Sequence, residues 1–183
     1  MKEKTLGSKC VFKGSFLDVR KDKVIFSNGS SSTREWINHP GAVCCIPVLE
    51  NGDICLIKQY RYAIKKYVIE LPAGKLEVGE SPIDCAKREL EEEIGFEAKK
   101  MRFLTMFYPA VGFVNEEMHL FLARELKKTH TNLDHDEFIE VLPMPLEQAV
   151  QMIFNGEIRD AKTIVGLIWA QKILRWKRSD SPE

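Results

Sequence analysis

Residues 74–96 read GKLEVGESPIDCAKRELEEEIGF, and the fold is read outward from this stretch. Ser81 suits a helix N-cap, Pro82 the first helical position and Asp84 the positive end of the helix dipole. Gly95 supplies a left-handed stop, so the spacing predicts a helix between them. Ile83, Ala86, Leu90 and Ile94 fall on one side of its projection and form the expected core face. Glu89, Glu92 and Glu93 gather on another side, because residues three and four apart are neighbours on a helix. Three carboxylates so placed repel one another, and Arg88 alone does not neutralise them. A bare acidic run is ordinarily a solvated face. The crowding acquires a chemical reason if a hard divalent cation, Mg²⁺ or Mn²⁺, sits among the oxygens.

The chain of 183 residues is long enough for a sizeable core. Lys plus Arg and Asp plus Glu number 27 each, which gives no net field and no extended basic surface for nucleic acid. The N-terminal MKEKTLGSKC lacks the apolar core of a signal peptide, and no run approaches membrane-spanning length. Cys10, Cys44, Cys45, Cys55 and Cys85 contain no C-x-x-C pair, so zinc is not expected. Cys44, Cys45 and Cys55 lie in apolar runs and read as buried thiols, which suits a reducing cytoplasm.

Ahead of the acidic helix, apolar residues at 11–19 and 24–26, the Asn28-Gly29 turn and a return run at 30–37 predict a small antiparallel sheet over 10–38. Phe12, Phe16, Leu17, Val24, Ile25 and Phe26 in it need burial. AVCCIPVL at 42–49 is a continuous apolar run that suits a buried strand. Further strands are expected at 54–61, 67–71, 101–107, 117–123 and 138–142, and helices at 145–155 and 160–176. Residues 177–183 read as a frayed tail. The domain division expected is 1–38 and 39–183. Strands mixed with one helix and followed by two more suggest α+β or an α/β/α sandwich.

The spacing Gly74, Glu80, Arg88-Glu89-Leu90, Glu92-Glu93 and Gly95-Phe96 resembles the Nudix box of the Nudix hydrolases at every defined position. Chance agreement of that extent is on the order of one in 10⁸ at ordinary residue frequencies. ICLIKQYRYAIKKYVIELPAGKLEVGE, YPAVGFVNEEMHLFLA and the DEFIEVLPMPLEQAVQMIFNGEIRDAKTIVGL ending are similar to the ADP-ribose pyrophosphatases and related nucleoside diphosphate sugar hydrolases. That resemblance implies the Nudix fold, an α/β/α sandwich with a mixed sheet, preceded by an N-terminal antiparallel sheet.

It also implies roles. Glu89, Glu92 and Glu93 are the metal carboxylates and Ala73 lends a backbone carbonyl. Glu80 and Arg88 are supports, with Arg88 placed to orient carboxylates bidentately. Arg61 contacts substrate phosphate, against the alternative of a surface ion pair. Glu70 bonds the nucleotide, and Pro109 holds the place of a proline that follows the box in this group. Trp36 either stacks on the base or is an edge-strand tryptophan. The catalytic base belongs to the late loop Asp134-His135-Asp136-Glu137, with Glu137 first and Glu140 and Asp136 behind it. Glu92 is expected to share in catalysis. Cys85 is expected to pack rather than act as a nucleophile.

The reaction implied is metal-assisted hydrolysis of the pyrophosphate bond of a nucleoside diphosphate sugar such as ADP-ribose, giving NMP and sugar phosphate. Rival readings are a Nudix hydrolase of nucleoside triphosphates, dinucleoside polyphosphates or capped RNA, and a non-catalytic nucleotide-binding regulatory module. The related enzymes exchange their N-terminal segments, so a homodimer is expected, with Trp36 or its neighbours completing the partner's pocket.

Overall fold

The computed structural model describes residues 2–133, 135 and 137–179, with side chains as far as Leu174 in the last helix. The elements run β1 (Lys4–Lys13), β2 (Asp18–Ile25), β3 (Ser31–Ile37), β4 (Ala42–Pro47), β5 (Ile54–Arg61), β6 (Lys66–Glu70), β7 (Ala73–Lys75), α1 (Pro82–Ile94), β8 (Phe96–Phe107), β9 (Met118–Lys128), β10 (Ile139–Met144), α2 (Leu146–Phe154) and α3 (Ala161–Ser179). They form two compact units, Met1–Gly41 with Tyr108–Glu117, and Ala42–Phe107 with Met118–Glu183.

In the first unit β1, β2 and β3 form an antiparallel sheet. The expectation that it begins at residue 10 is corrected: β1 starts at Lys4. Its first half, KTLGSK, has little apolar pattern, and pairing with β2 from Lys4↔Ile25 onward makes it a strand. The 108–117 loop closes on β3, with Ile37 N donating to Phe113 O at 2.8 Å. Val24 is buried, whereas Phe12 and Phe16 remain 55% and 61% exposed.

The second unit is built on β4. This strand pairs in parallel with β9 and antiparallel with β7, within the order β7-β4-β9-β8, and a second sheet runs β10-β5-β6. Alternate residues of β4 enter different cores. Cys44 and Ile46 pack with Leu120, Leu122, α2 and α3, while Val43 and Cys45 pack with Phe121, Ala123 and the Cys85, Ala86, Leu90 and Ile94 face of α1. Helices therefore cover both faces, which is why β4 is apolar throughout. This is the α/β/α arrangement expected.

Helix α1 begins and ends where its caps predict. Ser81 Oγ accepts from Asp84 N at 3.3 Å, and Gly95 closes the helix at φ 68°. One expected core residue is not buried: Ile83 is 39% exposed, and Cys85 takes its place. β8 extends back to Phe96 rather than Met101 because its polar start pairs with β9 up to Phe96↔Lys128. α3 extends to Ser179, past the expected end at residue 176 and into the expected tail; residues 180–183 of that tail lie outside the described residues.

Candidate active site

The acidic face of α1 lies against the turn that precedes it. β6 ends at Glu70, and Pro72 O accepts from Cys45 N at 2.8 Å, which carries residues 73–75 along β4 as β7. Ala73 N then donates to Glu93 Oε2 at 2.9 Å. Glycine at 74 leaves room for the Glu89 carboxylate in this position: a Cβ there would sit 1.8 Å from Glu89 Oε1.

Arg88 organises the group. Its Nε and Nη2 donate to the two Glu80 oxygens at 2.8 and 3.0 Å, and its Nη1 donates to Glu89 Oε1 at 2.7 Å and Glu92 Oε2 at 2.9 Å. These hydrogen bonds hold the Glu80 carboxyl down at about 2. Glu93 differs from its neighbours in being 3% exposed. Burial, reinforced by the Glu89 charge, pushes its carboxyl up to about 8. Burial also raises Glu89, although Arg88 opposes it. Glu137 adds its charge to both Glu89 and Glu93, so the late loop reaches this group electrostatically.

The donors are all oxygens, and two carboxylates, the buried Glu93 and the half-buried Glu89, are destabilised as anions. Both features fit a hard divalent cation. The fit lies in the donor set rather than in a finished cage. Among the described residues no three acidic, His or Cys side chains converge on one point, since Arg88 holds Glu89 and Glu92 while Ala73 holds Glu93.

Not every expected residue joins the group. Glu140 pairs across β10 and β5 with Lys58, and Lys58 pairs with Ile69, so all three share one sheet face. Glu70 pairs with Ile57 on the opposite face. Glu140 is thus turned away, with its carboxylate 3.4 Å from Lys58 Nζ, because strand residues alternate sides. Asp136 lies outside the described residues. Cys85 is fully buried, its thiol pushed up to about 12 by burial, which suits packing and not nucleophilic attack.

Arg61 and Glu70 meet side-on: Arg61 Nε and Nη2 each donate to a Glu70 oxygen at 2.7 Å. Arg61 is also within electrostatic reach of Glu93. The sequence reading missed that Lys162 donates to Glu70 Oε2 as well and to Asp160 Oδ2 at 3.1 Å. It also missed that Thr163 Oγ1 accepts from Leu71 N at 2.8 Å. The available signal was RDAKT, in which Asp160 caps α3 and places a lysine in the first turn, at the unfavourable pole of the helix dipole.

Trp36 and Pro109 belong to the first unit. Trp36 is half-buried on the edge strand β3, and its indole N–H donates to Asp22 Oδ2 at 3.0 Å. It borders a cavity of about 370 Å³ with Tyr108, Val111, Phe113, Val114 and Asn115.

The chain is 42% identical over 173 residues to the ADP-ribose pyrophosphatase of Bacillus subtilis (strain 168), covering 93% of this chain and 94% of the relative. It is 39% identical to the methanol dehydrogenase activator of Bacillus methanolicus, covering 92% of each. A crystal structure of an ADP compounds hydrolase superposes with a TM-score of 0.87 at 23% identity, covering 97% of this chain and 96% of that one, and so shares the fold. The family model of the nucleoside diphosphate sugar hydrolase N-terminal domain matches residues 3–37. That of the NUDIX domain matches residues 38–165, and the chain belongs to the Nudix family of hydrolases.

Proposed function

We propose that the enzyme hydrolyses the pyrophosphate bond of nucleoside diphosphate sugars such as ADP-ribose, giving NMP and sugar phosphate. The observation that carries this reading is the group of Glu89, Glu92 and Glu93 gathered by Arg88 and Ala73, with the Glu137 charge acting on two of them. Glu89, Glu92, Glu93 and the Ala73 carbonyl would hold Mg²⁺ or Mn²⁺. Such an ion supplies charge cancellation on a diphosphate and makes water a stronger acid.

The chain's own residues do the rest. Arg88 keeps Glu89 and Glu92 in place. Arg61 spends Nε and Nη2 on Glu70 and keeps Nη1 for a phosphate oxygen. Glu137 orients the attacking water and takes its proton. Water adds to one phosphorus, the bridging P–O bond breaks, and no covalent enzyme intermediate forms. Glu70, Trp36 and Pro109 are assigned to the nucleotide.

Product analysis with Mg²⁺ and a panel of ADP-ribose, other nucleoside diphosphate sugars, nucleoside triphosphates and dinucleoside polyphosphates tests the reading. ADP-ribose is expected to give AMP and ribose 5-phosphate. Release of ADP or adenine, or turnover of triphosphates alone, overturns it.

The same reading assigns residues 1–38 to dimerisation and 39–183 to hydrolysis. In support, all ten residues of the edge strand β1 are exposed, Leu6, Val11 and Phe12 among them. Burying a large apolar side chain is worth about 1.5–3 kcal/mol, and a second copy offers that burial. Mixing Trp36→Ala subunits with Glu93→Gln subunits regains activity if sites are shared between exchanged segments. No recovery in verified heterodimers rejects sharing. We assign the enzyme to the reducing cytoplasm, a reading that its free cysteines support.

A further inference from the structure

A lysine in the first turn of a helix meets the positive end of the dipole, and burying it adds a desolvation cost. Lys162 accepts both penalties: it is the second residue of α3, and its side chain is only 12% exposed. Its two partners are the carboxylates of Glu70, itself 2% exposed, and Asp160. Asp160 in turn accepts from Thr163 N at 3.0 Å and from Thr163 Oγ1 at 2.6 Å, which locks the start of the helix. Arg61 closes the set from the other side, so two cations and two anions neutralise one another. Burial alone would lower Lys162, but the Glu70 and Asp160 charges more than offset this and leave it raised.

The geometry is asymmetric. Glu70 is fixed by burial, and Lys162 is nearly so, but the Arg61 side chain is 43% exposed. Among the described residues Glu70 Oε1 receives only Arg61 Nε, whereas Oε2 receives both Arg61 Nη2 and Lys162 Nζ. The orientation of the Glu70 carboxylate therefore depends on Lys162. It decides which edge of the guanidinium is engaged, and leaves Arg61 Nη1 without a partner among the described residues.

We propose that Lys162 is a positioning residue for Arg61, acting through the Glu70 carboxylate to keep Arg61 Nη1 directed at the substrate diphosphate. This rests on the reading of Arg61 as the diphosphate contact.

The test is steady-state hydrolysis of ADP-ribose by Lys162→Met, Lys162→Arg, Arg61→Lys and the Arg61→Lys/Lys162→Met pair at saturating Mg²⁺, with thermal unfolding of each. Lys162→Met is expected to raise KM about tenfold, the lower end for a residue supporting a contact group, with a smaller effect on kcat. Lys162→Arg restores most of it. Arg61→Lys raises KM at least as much, and the double variant raises it no further, because both changes remove the same contact. A purely structural clamp between α3 and β6 would lower Tm and leave KM in place. Wild-type KM in Lys162→Met, or KM effects that multiply in the double variant, overturn the inference while the reading of Arg61 stands. Unchanged KM in Arg61→Lys overturns that reading and the inference together. If Lys162→Met does not fold, Lys162→Gln takes its place, and wild-type KM in that variant overturns the inference.

Discussion

The backbone N–H of Ala73 donates to Glu93 Oε2 at 2.9 Å, joining the residue before Gly74 to the last turn of α1. Glu93 is thereby held in the core, where its carboxyl is raised to about 8 by burial and by Glu89. Glu93→Gln keeps the bond, since an amide oxygen also accepts, but removes the charge that a hard cation requires. With ADP-ribose and Mg²⁺, kcat is expected to fall about 10²–10³-fold, the range for removing one electrostatic group from a site. In EDTA the two proteins also differ in pH dependence. Between the ordinary carboxyl value of 4.5 and about 8 the native state holds a proton that the unfolded chain has lost. Wild-type Tm therefore falls as pH rises through that window, and Glu93→Gln flattens the slope. Equal slopes would contradict the assignment.

Glu80 titrates with the opposite sign. Its carboxyl is lowered from 4.5 to about 2 by Arg88, so its contribution is complete above pH 4.5 and is lost as pH falls towards 2. Glu80→Gln is expected to show a shallower acid limb in Tm against pH. Its kcat at neutral pH should fall about 10–100-fold, since Arg88 loses the partner that orients it. An unchanged acid limb would show that Glu80 gains nothing from Arg88 in solution.

Gly74→Ala separates stability from activity. The three atoms nearest the added Cβ all belong to the flexible end of Glu89, which can swing away. Tm should move little, while kcat drops about 100-fold because a site carboxylate is displaced by an ångström or more. Wild-type turnover in Gly74→Ala would remove Glu89 from the reaction.

Gly166→Ala does the reverse. Its Cβ would approach Leu71 Cδ1 to 2.3 Å and Leu120 Cδ1 to 3.4 Å, within the core between α3 and the sheets. Overpacking of this kind costs about 1–3 kcal/mol, against about 0.5–1 kcal/mol gained by replacing a helical glycine. Chemical denaturation should show a net loss; a gain would mean that α3 is free to move away from Leu71.

Much of this protein was legible locally. The ends of α1 follow from Ser81, Pro82 and Gly95, whose hydrogen bonds span only a few residues. The adjacency of Glu89, Glu92 and Glu93, and the reach of Arg88 to Glu92, follow from helical periodicity. The burial of β4 was visible in its unbroken apolar run. Other features depend on contacts between distant segments. Burial of Glu93 and exposure of Ile83 are set by how α1 lies against β4 and β7, which a helical projection does not contain. β1 and the first half of β8 are strands through pairing, with weak patterns of their own. Glu140 faces away from Glu70 because of the register of β10 on β5. Lys162 reaches Glu70 across 92 positions of sequence, so tertiary packing alone brings a lysine at the start of α3 to a glutamate at the end of β6.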